Sequence, residues 1–234
     1  MSATDSQVLV ENYKSIISVI ESKKQSQDAR LVAVSKYKPA SDIGTLYKSG
    51  QLHFGENYVQ ELVSKAEVLP KEIKWHFIGG LQTNKCKALA AIPNLWAVET
   101  IGSEKHALKM NQACEAAGRK EPLNVFVQVN TSNEENKSGE SSEKAIDLAS
   151  FIEKNCSHLH LLGLMTIGSV ENSNKEPNPD FLLMKNLQER LQKLIGRPVE
   201  LSMGMSHDFE HALCLGSTNV RVGSSIFGQR APKA

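Results

Sequence analysis

Two stretches of this chain combine residue types that could do chemistry. The first is Leu31-Val32-Ala33-Val34-Ser35-Lys36-Tyr37-Lys38-Pro39, where an apolar, partly β-branched run leads directly into a lysine and a proline closes the segment. Such a run reads as a buried strand, residues 31–36, that delivers an amine to the rim of a sheet. Lysine is among the side chains least often buried without a partner. Lys36 therefore either snorkels into water or is an amine placed to attack a carbonyl. Lys38 points to the same side of the chain if the strand persists. A second cation there would lower the pKa of Lys36 and favour the neutral nucleophile.

The second stretch lies near the other end of the chain. Leu201-Ser202-Met203-Gly204-Met205-Ser206-His207-Asp208 is followed by Gly216-Ser217-Thr218-Asn219-Val220-Arg221-Val222-Gly223-Ser224-Ser225-Ile226-Phe227-Gly228. Two strand ends here open into small residues and hydroxyls. Gly223-Ser224-Ser225 offers successive backbone N–H groups and hydroxyls at a helix start, a recipe for holding a phosphate, and Ser206 would complete the cradle. Taken alone, a Gly-Ser cluster is equally an ordinary turn. Paired with an amine at the first strand, it suggests pyridoxal 5′-phosphate (PLP), with an aldehyde for Lys36 and a phosphate for the far loops.

The elements that must position these groups alternate regularly. A first helix over 8–21 precedes the strand at 31–36. Strands then follow at 53–55, 75–78, 95–98, 124–130, 159–165, 199–203 and 220–222, with helical segments between them at 42–49, 57–68, 83–91, 103–117, 142–155, 181–195 and 207–214. The polar stretches 131–139 and 169–180 read as loops. Near-continuous apolar strands alternating with helices predict a parallel sheet covered by helices. Eight such units in 234 residues fit one single-domain (β/α)8 TIM barrel spanning 1–234, with an extra N-terminal helix. An open doubly wound sheet is the alternative, because periodicity alone cannot close a barrel. In a barrel the site lies where strands end and loops begin, which is where Lys36 falls.

Composition narrows the function classes. A net charge of +1 and 6 % aromatic residues supply neither the electrostatic footprint nor the stacking platform of a nucleic-acid binder. No stretch approaches the roughly 18 apolar residues that a membrane span requires, and residues 1–11 carry no apolar signal core. The four cysteines, Cys86, Cys114, Cys156 and Cys214, form no CxxC pair, so metal-ligand spacing is absent and reduced thiols in the cytoplasm are the better reading. His53 and His76, at strand starts, read as satisfied core or rim histidines rather than bases. Asp208, Glu210 and His211 read as a stabilised helix turn or solvent-facing groups, and Glu56 is explained by its place at a helix start.

The stretches AVSKYKP, HFGENYVQE, WHFIGGLQTNK, LGLMTIG, LSMGMSHDFEHAL and GSTNVRVGSSIFG, in this order, resemble the pyridoxal phosphate homeostasis proteins. That family's fold is similar to the N-terminal barrel domain of alanine racemase. The resemblance covers about residues 31–228, with Gly80 in place of a larger side chain and an expanded Asn-rich loop at 169–180 as departures. It implies that Lys36 is the Schiff-base lysine. Ser206, Gly223 and Ser224 would bind the phosphate, and Arg221 would face the pyridine nitrogen. Asn57, His76 and Met165 would line the pocket. A permanently cationic guanidinium cannot accept a proton and disfavours a pyridinium beside it, so the ring would be a weak electron sink.

Two-base racemisation needs a second acid/base on the opposite face of the cofactor. The racemase to which the fold is similar takes that group, a tyrosine, from a separate β-domain of the partner subunit. This chain ends a few residues past the last strand, and none of its four tyrosines occupies a matching position, although Tyr37 directly follows Lys36. The expectation is a monomeric, cytoplasmic PLP-binding protein that buffers the cofactor or delivers it to apo-enzymes, without robust catalysis. A single-domain PLP-dependent amino-acid racemase with Lys36 as sole base, and a PLP-free aldolase-type barrel, are the alternatives.

Overall fold

In a computed structural model, which describes residues 3–132 and 138–228, the strands close on themselves. They are β1 (Arg30–Val34), β2 (His53–Glu56), β3 (Lys74–Phe77), β4 (Leu95–Ile101), β5 (Leu123–Gln128), β6 (Leu159–Met165), β7 (Glu200–Ser202) and β8 (Asn219–Val222). All neighbours are parallel, and β8 pairs back onto β1 from Arg30↔Asn219 to Ala33↔Val222. The barrel, not the open sheet, is the architecture. Around it lie α1 (Ala3–Lys23), α2 (Ala40–Lys48), α3 (Val59–Val68), α4 (Cys86–Ala90, preceded by a 3₁₀ turn), α5 (Glu104–Ala116), α6 (Ser142–Asn155), α7 (Pro179–Ile195), α8 (Phe209–Cys214) and α9 (Ser224–Phe227). The loop expected at 131–139 lies partly outside the described residues.

The two faces of the strands have different contents. Leu31, Ala33, Phe54, Trp75, Phe77, Val98, Val125, Leu161, Leu201, Val220 and Val222 belong to the large apolar layer shared with the helices. Residues between them point into the lumen. There the apolar filling shrinks to Ala97, Phe126 and Met165, with Trp96 and Leu162 against them. His76, Glu99, Ser202, Asn219 and Arg221, all buried, share the lumen. Barrel interiors are usually packed with branched aliphatic residues, so this polar filling is a departure with a purpose.

Most boundaries move by one or two residues, and one shift has consequences. β1 ends at Val34, not at residue 36, so Ser35 and Lys36 already belong to a turn. Tyr37 takes a left-handed backbone (φ 62°) there. α2 is preceded by Pro39 with no side-chain cap, whereas Ser103 caps α5 by accepting a bond from the His106 amide. No helix among the described residues is long and apolar enough to cross a membrane.

Candidate functional site

The C-terminal ends of the strands surround a cavity of about 360 Å³. Lys36, Asn57, Met165, Ser206, Arg221, Gly223 and Ser224 all line it. Their neighbours in the wall are Val34, Lys38, Ile78, Ile167, Met205, His207 and Gly228. His207 and the apolar side chains Ile78, Ile167 and Met205 were not singled out in the sequence. Nothing in their local pattern separates them from ordinary loop residues. Lys38 shares the cavity, but not because a strand carries it past Lys36: it follows the turn, and its Nζ donates to the Phe227 carbonyl at 3.0 Å.

Lys36 is held by its neighbours in the chain. The Ser35 amide bonds the Gly55 carbonyl at 2.9 Å, and the Ser35 hydroxyl donates to Glu56 Oε1 at 2.6 Å. Lys65 of α3 donates to the Ser35 carbonyl (2.8 Å), to Glu56 Oε1 (2.6 Å) and to Glu61 Oε1 (2.7 Å). Glu61 Oε1 in turn accepts the Tyr37 amide at 2.7 Å. The residues before and after Lys36 are thus tied to one buried ammonium–carboxylate group. Glu56 is therefore not explained by a helix start, as its sequence position suggested. It ends β2, faces the helices, and has its Oε2 buried without a partner. Burial pushes its pKa above the usual 4.5, against the charge and hydrogen bond of Lys65 and the bond from Ser35.

Across the cavity, Gly204 (φ +98°) lets the β7–α8 segment turn tightly, since a Cβ there would sit 2.6 Å from the Ala212 Cβ and 2.9 Å from the Phe209 Cα. The turn is closed by Asp208, whose Oδ1 accepts the Met205 amide at 2.8 Å. It presents Ser206 to Gly223, whose amide donates to the Ser206 hydroxyl at 3.3 Å. His211 accepts the Asn178 amide at 3.1 Å and so joins this face to the 169–180 loop. Asn57 is fixed by a close approach: a Cβ on Gly79 would fall 1.9 Å from the Asn57 carbonyl oxygen.

The floor is Arg221. Its Nη2 donates to the Thr166 carbonyl at 2.8 Å, its Nη1 to the Ser202 hydroxyl at 2.6 Å, and Glu99 Oε2 lies 4.0 Å from Nη1. The placement of His76 in the pocket wall is corrected by the structure. His76 is fully buried in the lumen and does not line the cavity, because β3 ends one residue later and Ile78 takes the wall position. Its Nδ1 lies 2.6 Å from Glu99 Oε1 and its Nε2 2.8 Å from His53 Nδ1. The reading of both histidines as satisfied core groups holds. Burial keeps both neutral, with the His53 pKa lowered to about 2 by burial and by the nearby His76, Arg30 and Lys74.

The comparisons with known proteins bear on this arrangement. The family model described as "Alanine racemase, N-terminal domain" matches residues 5–231. A protein of Schizosaccharomyces pombe named pyridoxal phosphate homeostasis protein is 48 % identical over 92 % of this chain and 90 % of its own length. The chain belongs to the pyridoxal phosphate homeostasis family. A human protein of the same name is 50 % identical over 86 % of this chain and 76 % of its own length. Among solved structures, PipY of Synechococcus elongatus with PLP bound is 30 % identical and covers 94 % of this chain and all of its own, at a TM-score of 0.79. An alanine racemase of Clostridium difficile aligns at a TM-score of 0.74 with 14 % identity, over 95 % of this chain and 58 % of its own, a likeness of fold.

The donor set of the cavity fits PLP as this family's members are named for it. Hydroxyls of Ser206 and Ser224 and the Gly223 amide gather on one side, and a lysine lies on another. Apolar walls from Ile78, Met165, Ile167 and Met205 suit an aromatic ring. The buried Oδ1 of Asn57 has no partner among the described residues, an acceptor that a ligand hydroxyl would satisfy.

Proposed function

We propose that this chain binds PLP in the cavity, holds it as a Schiff base on Lys36, and serves PLP homeostasis by buffering the cofactor or delivering it. The observation that carries the reading is the placement of Lys36 and the Ser206–Gly223–Ser224 donors around one apolar-walled cavity of about 360 Å³. The names of the curated relatives and the PLP-bound PipY structure support it. When bound, PLP would supply an aldehyde, an electrophile for the Lys36 amine.

The protein does the rest. The Lys65–Glu56–Glu61 group fixes the turn that carries Lys36, so the amine is positioned before any ligand arrives. Ser206, Gly223 and Ser224 anchor the phosphate, Asn57 accepts from the ring hydroxyl, and Arg221 meets the pyridine nitrogen with N–H groups only. Burial lowers the Arg221 pKa while Glu99 and Asp208 oppose the change, and a guanidinium remains cationic at any working pH. The ring is thus kept from protonation, which suits storage more than carbanion chemistry.

The protein acts as a cytoplasmic monomer that hands PLP to apo-enzymes. The free thiols Cys86, Cys114, Cys156 and Cys214 support the reducing compartment. A second reading, a single-domain amino-acid racemase, rests on His207, which lines the same cavity as Lys36 and offers a second acid/base. Visible absorbance of the purified protein with PLP, for wild type and Lys36→Ala, tests the binding reading. The expected result is a band in wild type that borohydride traps on Lys36 and that Lys36→Ala lacks. A wild type that stays colourless overturns it. Measurable alanine racemisation that is lost in His207→Gln would favour the racemase.

A further inference from the structure

Below the cavity floor, the polar groups of the lumen form one connected chain whose hydrogen-bond directions can be assigned. Glu99 is fully buried, and burial raises its pKa. The hydrogen bonds from His76 and Ser202 and the charge of Arg221 outweigh that and hold it below 4.5. An ionised carboxylate only accepts, so His76 Nδ1 carries the proton and donates to Oε1, and neutral His76 accepts from His53 Nδ1–H at its Nε2. Asn219 Nδ2 donates to Glu99 Oε1 at 2.9 Å and to the Ser202 hydroxyl at 3.0 Å. The Ser202 oxygen, which already accepts from Asn219 and from Arg221 Nη1, gives its own proton to Glu99 Oε2. His76 and Asn219 end on Glu99 Oε1, and Ser202 ends on Oε2.

This arrangement leaves Arg221 with a defined posture. Two of its N–H groups are committed, to Ser202 and to the Thr166 carbonyl, and the guanidinium cannot rotate without leaving Glu99 buried beside no cation. We propose that Glu99 is a positioning residue for the cofactor site: acting through the Ser202 hydroxyl, it sets the orientation in which Arg221 meets the ring of the ligand. The inference rests on the PLP reading above, in which Arg221 faces the pyridine nitrogen. It goes further by assigning a role to residues that never touch the ligand.

A Glu99→Gln substitution keeps the shape but reverses one direction in the chain. The new amide N–H would face a Ser202 oxygen that already accepts twice, and the hydroxyl proton would lose its acceptor. Ligand-free crystal structures of wild type and Glu99→Gln, with PLP titrations of both followed by visible absorbance, test the proposal. The expected result is an Arg221 side chain displaced from Ser202 and Thr166, PLP affinity reduced about tenfold or more, and a shifted absorption maximum. The shift should vanish when Glu99→Gln is made in an Arg221→Gln background. An Arg221 that keeps both bonds, or a spectrum and affinity equal to wild type, overturns the proposal. If Glu99→Gln does not fold, Ser202→Ala carries the same comparison, since it removes the bridge and leaves the Glu99–His76 bond. If wild type takes up no PLP, the cofactor reading falls, and the ligand-free structures still decide whether Glu99 orients Arg221.

Discussion

Glu56 and Glu99 are both wholly buried, one on the helix-facing side of β2 and the other in the lumen at β4, and each sits behind a residue of the proposed cofactor site. Burial acts on them alike, raising the pKa of each, but the outcomes diverge: Glu56 stays above its usual value of 4.5 and Glu99 falls below it. The difference lies in how many donors each oxygen receives. Both oxygens of Glu99 are bonded, by His76, Asn219 and Ser202, with Arg221 at 4.0 Å. Glu56 has one oxygen without a partner, and the other takes Ser35 and a Lys65 that is also shared with Glu61. A buried carboxylate is kept charged by its complement of donors, not by proximity to one cation. The helix-side group thus clamps the Lys36 turn, and the lumen group seats Arg221.

The sharpest way to break this contrast is to remove each cation. Arg221→Leu leaves Glu99 in the lumen with no counter-charge and is expected to destabilise the fold by about 3–5 kcal/mol in urea unfolding. Lys65→Met removes a cation shared between the buried Glu56 and the partly exposed Glu61, so about 2–3 kcal/mol is expected. Equal losses would show that the two clusters are held alike.

A finer test uses pH. Because the folded-state pKa of Glu99 is lowered, its contribution is present above 4.5 and is lost as pH falls through the folded value. The stability advantage of wild type over Glu99→Gln should therefore shrink as pH is lowered from about 4.5 through the folded value. Glu56 is raised, so its contribution is present below 4.5 and is lost as pH rises through its folded value. The advantage of wild type over Glu56→Gln should shrink in the opposite direction, as pH rises. His53 and His76, whose pKa values burial lowers, favour unfolding as pH drops below 6.5; this cancels from the Glu56→Gln difference, whereas Glu99→Gln also removes the bond that raises the His76 pKa. Chemical denaturation across that range gives both slopes, and two slopes of the same sign would remove the distinction.

The contrast also explains what the sequence could and could not disclose. The strand-then-helix alternation predicted the barrel because helix-facing strand positions are mostly apolar and the turns carry their own signals. Lys36, Ser206, Gly223 and Ser224 were singled out by their types and local spacing, and the structure brings all four to one cavity. The lumen chain was not. Glu99 lies in a strand whose other residues are mostly apolar, and its partners Ser202 and Asn219 are 103 and 120 positions away, a distance that only barrel closure removes. His76 shows the same limit: its residue-level reading as a satisfied core histidine was right. The pocket role implied by resemblance failed, because where β3 ends decides which side chain reaches the wall. Nothing in the sequence around Lys65 marks it as buried, and the packing of α3 on β2 turns it inward.

The smallest effect expected from the clamp comes at its edge. Tyr37 carries a left-handed backbone that costs a non-glycine residue about 1 kcal/mol, and its ring, half exposed, lies against Tyr58 at a centroid distance of 5.2 Å. Asparagine tolerates that backbone region, so Tyr37→Asn relieves most of the strain while forfeiting a ring contact of about 0.5–1 kcal/mol. The two changes oppose each other, and thermal melts should place the variant within about 0.5 kcal/mol of wild type. Tyr58→Ala loses the ring contact without relieving the backbone and should be the less stable of the two. The Tyr37 amide, not its ring, reaches Glu61, so the clamp on Lys36 survives Tyr37→Asn and PLP uptake should be unchanged. A marked loss of stability or of PLP uptake in Tyr37→Asn would mean that the Tyr37–Tyr58 pair, not the buried Lys65 group, holds the Lys36 turn.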